Sequence, residues 1–300
     1  MPLARSVTSP ASHTEGKRVD VDVFHLDEIP GAMDNMGWTI APKLMRRWFA
    51  NPLFRMSEDM REAKARDARG ARIDLDSMTL KPEQYDDQIL KMEWIFRFEE
   101  IKKLAFERMK TANWKTHKGV RILLKRLAKV GWKPGKLLPV KLGHTNMGAR
   151  ELDSVCQMNF HAYTASQLQV DEFLGAVGSF IFKIAVVGAA SWGPIKGNVF
   201  TVKKVGIYIR DTYDFINEYE PLGVWKRSGC LPPLKAAAYY LLLKGRDWLE
   251  LSNSYPGYVA ASNQNFRDWQ NKHKSGGDFI IYSDVFWFDS DVTEFSLDNY

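Results

Sequence analysis

Three hundred residues, 45% of them hydrophobic and including ten Trp, eleven Tyr and seventeen Phe, exclude a disordered chain and allow a sizeable core. The net charge of +6 is unevenly placed: residues 1–150 carry 29 Lys and Arg against 19 Asp and Glu, and residues 151–300 carry 13 against 17. Two cysteines exclude a disulfide framework, and no apolar run reaches the length of a membrane-spanning helix. The basic half reads as solvated helix faces, with a polyanion-binding surface as the alternative. Cys156 and Cys230 read as core thiols, with a single bridge between them as the alternative.

The first twenty residues are polar and lack an apolar signal core, so they are expected to form a tail without a Sec signal peptide. Residues 21–30 alternate like a short strand and stop at the turn signal Pro30-Gly31. Pro42 is placed to open a helix that ends near Asn51-Pro52; across Gly37–Phe49 the Trp and Met side chains read as a core stripe with a basic outer face, with a nucleic-acid or membrane-binding surface as the alternative. A charged, exposed helix is predicted over 56–69 and a long one over 83–111. In the latter, Trp94, Phe98, Ile101, Ala105 and Met109 fall on one face. A shorter basic helix is predicted over 120–130 and another helix over 153–173.

The texture changes at Gly175. Residues 177–187 and 199–210 read as two strands of a hairpin around the turn-rich stretch 188–197. Further strands are predicted over 222–226, 237–243, 248–251, 258–261 and 279–288, with one amphipathic helix over 264–274. The pattern predicts an α+β protein: a helical domain over 21–174, then a curved antiparallel sheet or half-barrel with one helix over 175–300.

Several catalytic signatures are absent: no Gly-x-x-x-x-Gly-Lys-Ser/Thr, His-Glu-x-x-His, Gly-x-Ser-x-Gly or Cys-x-x-Cys occurs. The six histidines are scattered, and none pairs with another at a metal-ligand spacing. The richest segment is the strand exit Val205-Gly-Ile-Tyr-Ile-Arg-Asp-Thr-Tyr-Asp-Phe215. Asp211 and Tyr213 can share a face there, with Asp214 just beyond. Two carboxylates close in space raise one another's pKa or attract a cation, which suits acid–base work or Mg²⁺ on a phosphate substrate. Arg227, after the next strand, could hold a phosphoryl oxygen. The alternative is structural: Asp214 caps a turn and Tyr213 is core. Asp278 and Asp284, six apart, could join the cluster across an unbroken strand; the alternative puts Arg267 and Asp268 in surface pairs and has Asp278 stabilise the Gly276-Gly277 turn, the reading preferred for Asp268.

Two resemblances follow from these residues. The blocks Phe24–Met33, Trp38–Phe49, Asp211–Trp225, Asn265–Trp269 and Gly276–Phe279 together resemble an uncharacterised bacterial family whose members are often encoded near type VI secretion genes. The Asp211-x-Tyr213-Asp214-Phe215 segment is similar to the active-site motif of the colicin M group, which cleaves lipid II between its lipid and pyrophosphate. The colicin M pattern then continues with a Tyr and a His or Arg, where this chain has Asn217, Glu220 and Pro221; Tyr219 and Arg227 lie at shifted positions.

The resemblances imply an antibacterial type VI effector that hydrolyses a lipid-linked peptidoglycan precursor at a membrane surface. Asp211 and Asp214 would be Mg²⁺ ligands or acid and base, Tyr213 would orient and Arg227 would hold phosphate. The expected partners are a secretion adaptor or spike protein and a cognate immunity protein; nucleic acid is not expected. The protein would stay in the producer's cytoplasm until delivered to a target periplasm. The alternative function is a non-enzymatic adaptor, immunity or accessory protein of the same locus.

Overall fold

The structure, a computed structural model, describes residues 24–110, 114–164, 171–298 and 300. The tail expected over 1–20 lies outside them. Helices come first: α1 (Ile29–Asn35), α2 (Ala41–Ala50) and the single turn α3 (Glu58–Arg61). A small hairpin of β1 (Lys64–Arg66) and β2 (Arg72–Asp74) follows, then β3 (Tyr85–Asp86), α4 (Met92–Ile95), α5 (Glu99–Lys110) and α6 (His117–Lys129). Next come β4 (Val140–Leu142), α7 (Ala149–Val155), β5 (Gln157–Tyr163), α8 (Glu172–Ala176) and the long strands β6 (Phe180–Gly193) and β7 (Gly197–Tyr213). The chain continues through β8 (Pro221–Lys226), β9 (Gly229–Cys230), α9 (Pro233–Gly245), α10 (Trp248–Ser254), β10 (Val259–Ser262) and α11 (Asn263–His273). It closes with β11 (Phe279–Tyr282), β12 (Phe286–Phe288) and β13 (Glu294–Ser296).

The fold is α+β, with helices toward the N-terminus and a sheet curled into a half-barrel. The β6–β7 hairpin is its spine. One flank of β7 pairs in turn with β11, β12 and β13, and the far flank of β6 pairs with β5 and β4. All these pairings are antiparallel; β3 adds a short parallel edge on β11. The spine bends at a register shift between Val187 and Gly188. Gly188 is required there, because a Cβ would lie 2.1 Å from the Thr201 carbonyl and 2.9 Å from the Phe200 ring.

A second sheet of β10, β8 and β9 carries α9 and α10. One hydrophobic core cluster draws buried residues from Ile29 to Leu297, and a smaller one lies around Val224, Leu231, Tyr239 and Leu251.

Several predicted elements take other forms, each for a local reason. The stretch predicted as a helix over 153–173 leaves α7 at Val155 and forms β5, whose exposure alternates and which pairs with β6 from Gln157 to Tyr163. Part of that prediction, 165–170, lies outside the described residues. Of the long helix predicted over 83–111, the described residues form α4 and α5; ahead of them Tyr85 and Asp86 pair as β3, and the Asp86 carboxylate accepts from the Gln88 and Ile89 amides in a turn.

The exposed helix over 56–69 is one turn long, because Asp67 and Gly70 close the β1–β2 hairpin instead. The stretch read as a strand over 21–30 is described only from Phe24 on and turns into α1, opened by Pro30. The strands predicted over 237–243 and 248–251 are helices α9 and α10, since the Ala-Ala-Ala and Leu-Leu-Leu runs favour a helix once Pro233 starts it. The domain that was expected to hold one helix therefore holds more.

Among the described residues no helix is long and apolar enough to cross a membrane. Cys156 and Cys230 are both free, and burial pushes the Cys156 thiol up to about 12.

Candidate active site

The end of β7 is held by an aromatic stack. Tyr213 lies directly opposite Phe279 on β11, and the two rings stack at 5.3 Å. Phe215 stacks on Phe266 of α11 at 3.9 Å, and both meet the edge of the fully buried Trp48 of α2. Three distant parts of the chain thus converge where β7 leaves the sheet. Burial pushes the Tyr213 phenol above its ordinary range, so it is no base at neutral pH.

Under this stack lies an ion pair. Arg267 of α11 forks onto Asp278 at 2.8 and 2.9 Å, and its Nε donates to the Phe215 carbonyl. The Trp48 indole and the Met56 amide donate to the two oxygens of Asp278. Asp278 is completely buried, and each of its oxygens is satisfied at least twice.

Asp214 lies in the field of this pair without the same support. Its side chain is 8% exposed, its Oδ2 has no hydrogen-bond partner, and the nearest cation is Arg61 Nε of α3 at 3.9 Å. Burial is the main cause of a carboxyl raised to about 6; the charge of Asp278 adds to it, while Arg61 and Arg267 oppose it. Asp211, directly opposite Ile281, is shifted well upward, again chiefly by burial and further by Asp214. Each of the two carboxyls is therefore easier to protonate than an ordinary Asp.

Arg210, which faces away from Asp211, donates to the carbonyls of Met60 and Arg61 and so anchors α3 beside the site. On that same face Asp153 accepts from the hydroxyls of Tyr208 and Tyr282, with Lys183 at 3.9 Å.

The structure brings together Asp211, Asp214 and Tyr213 of the predicted site, with Tyr213 as a packing element. Arg227 is engaged elsewhere: in the β8–β9 turn it forks onto Glu28 at 2.8 and 3.2 Å, and its carbonyl accepts from Asn35. Tyr219 points into solvent. Asp278 joins the cluster, but Asp284 lies beyond the end of β11 and accepts from the Met92 amide. Asp268 makes the surface contact expected of it, with Gln264, whereas Arg267 is buried.

Arg61 and Arg267 are the basic groups that sequence reasoning missed at this site. For Arg267 a signal existed: Asn263, Arg267 and Gln270 sit at spacings of four and three beside Phe266, a polar stripe on the buried side of α11. Arg61 had none, since it meets Asp214 across the whole fold.

The chain matches, over residues 24–295, a family of unknown function, DUF6402. It belongs to that family. No curated protein and no solved structure matches it. In this DUF6402 member, what the site can do has to be read from its own geometry. Among the described residues no three His, Cys, Asp or Glu side chains converge on a metal position. Asp214 Oδ2 is an unpartnered carboxylate oxygen, and Mg²⁺ is commonly held by one or two carboxylates with water and phosphate oxygens completing its shell.

Proposed function

We propose that the chain is an antibacterial effector delivered by a type VI secretion system, hydrolysing a lipid-linked peptidoglycan precursor with the Asp211–Asp214 end of β7. The observation that carries this reading is Asp214: buried, with an oxygen nothing satisfies, and titrating at about 6. Such a group is partly charged near neutral pH and is matched to proton transfer. In its ionised form Asp214 takes a proton from a water that attacks phosphorus. The bond from phosphorus to the lipid oxygen breaks, and the proton passes to that departing oxygen. Arg61, beside Asp214, provides positive charge against the phosphoryl oxygens. The alternative role of Asp211 and Asp214 is to hold Mg²⁺, which when bound would supply Lewis-acid polarisation of a phosphoryl oxygen.

The delivery route, an adaptor or spike protein as carrier and a cognate immunity protein come from the likeness to secretion-associated sequences. The test is toxicity: chain directed to the periplasm of a Gram-negative host is expected to lyse it, and Asp214→Asn to lose about a hundredfold or more of that effect. A wild-type chain without effect, or an equally toxic variant, overturns the proposal.

One feature favours a second reading, a non-enzymatic adaptor, immunity or accessory protein. Arg267 and Asp278 tie α2, α11 and the end of β7 together as a framework would. Under it, Asp211→Ala lowers the melting temperature and leaves capture of a secretion partner intact.

A further inference from the structure

From Arg108 to Arg150 the chain carries twelve Lys and Arg and not one Asp or Glu. α6 lies in the middle of this stretch. It buries Val120, Leu123 and Leu127 and turns Lys118, Arg121, Lys125 and Lys129 outward on one face. None of these four has an ion-pair partner among the described residues.

Beyond α6, the segment 133–139 is fastened to the closed end of the β6–β7 hairpin. The Trp192 amide donates to the Lys136 carbonyl at 3.1 Å, and the Gly135 amide donates to Asn198 Oδ1 at 2.8 Å. β4 then pairs Val140 with Ala190. Three aliphatic side chains protrude from this end: Leu137 at 68% exposure, Leu138 at 76% and Ile195 at 97%. Lys133, Lys136 and Lys141 are exposed around them. Among the described residues, Glu294 near this end pairs with Lys196, and Asp298 accepts from Asn198.

We propose that this closed end docks on an anionic lipid surface. Leu137, Leu138 and Ile195 enter the boundary between headgroups and acyl chains, and Lys133, Lys136 and Lys141 meet lipid phosphates. Single exposed aliphatics are ordinary, but three on one hydrogen-bonded tip inside a ring of lysines match the two attractions a membrane surface supplies. A nucleic acid would satisfy the lysines and leave the aliphatics in water, since bases stack on aromatic faces. A second copy of the chain would bring lysines against lysines. The inference is independent of any chemistry at Asp214.

Flotation of the full chain with phosphatidylcholine vesicles, with and without about 30% phosphatidylglycerol, tests it. The chain is expected to float with the anionic vesicles only, and less as salt rises. The double variant Leu137→Asp with Leu138→Asp is expected to bind about tenfold more weakly or worse. Changing Lys133, Lys136 and Lys141 together to Gln should weaken anionic binding as well. Melting temperature and near-ultraviolet circular dichroism check that the variants are folded; these side chains are exposed and no packing is lost. The proposal falls if the chain ignores anionic vesicles, or if both variants bind like the parent. It also falls if a duplex oligonucleotide is held through the lysines alone, or if the tip is found to close a dimer that Ile195→Asp dissolves.

Discussion

At the open end of the β6–β7 hairpin, Asp211 and Asp214 are withdrawn from water beside the paired Arg267 and Asp278. At the closed end, Leu137, Leu138 and Ile195 are pushed out into water among the exposed Lys133, Lys136 and Lys141. Stability alone would arrange neither end this way: it would pair the carboxylates fully and bury the aliphatics. The first departure is electrostatic and costs folding energy inside the molecule. The second costs little, because a side chain exposed in both folded and unfolded states changes nothing on folding. What distinguishes the ends is therefore where the cost falls, and both are places where folding gives way to something else.

The comparison breaks most readily at the Arg267–Asp278 pair. Arg267→Met leaves a fully buried carboxylate unpaired and is expected to cost about 3–5 kcal/mol in urea unfolding. A loss below about 1 kcal/mol would show that the open end is not the rigid frame described. Arg227→Ala removes a half-exposed pair with Glu28, and the expected loss is about 1 kcal/mol or less, with any activity unchanged. A lost activity would return Arg227 to the site from which the geometry separates it. The smallest effect belongs to the closed end. Leu137→Asp with Leu138→Asp should leave unfolding within about 0.5 kcal/mol of the parent, and a larger change would mean that the tip packs against something.

Much of this architecture could be read from periodicity. The hairpin, α2, α6 and α11 stand close to where alternation, Pro placement and capping put them. Two of the errors share one origin. The spacing of apolar residues in β5 and α9 suits either structure, and neighbours decide between them: β6 draws β5 into the sheet, while α9 has no strand partner among the described residues. At the site, the strand exit was visible, because an aromatic and β-branched run ends in Asp, Tyr and Asp. Its partners were not. Asp214 meets Arg61 of α3, and Tyr213 meets Phe279, through contacts that exist only once the sheet has closed. Nearness in sequence favoured Arg227, and folding carried it to Glu28.

The central claim is that Asp214 is held in the folded state at a cost, and one variant tests it directly. Its folded carboxyl titrates at about 6 against an ordinary 3.8. The folded state therefore binds this proton more tightly than the unfolded one. Stability falls as pH rises through that window, and the full penalty, on the order of 1–3 kcal/mol, is present above about pH 6. Asparagine in its place cannot titrate. Unfolding free energies of the parent and Asp214→Asn, measured from about pH 4 to 8, should draw apart across this window, with the variant the more stable of the two at neutral pH. A gap that does not change with pH, or a parent that is the more stable at neutral pH, would make Asp214 part of the frame and contradict the claim.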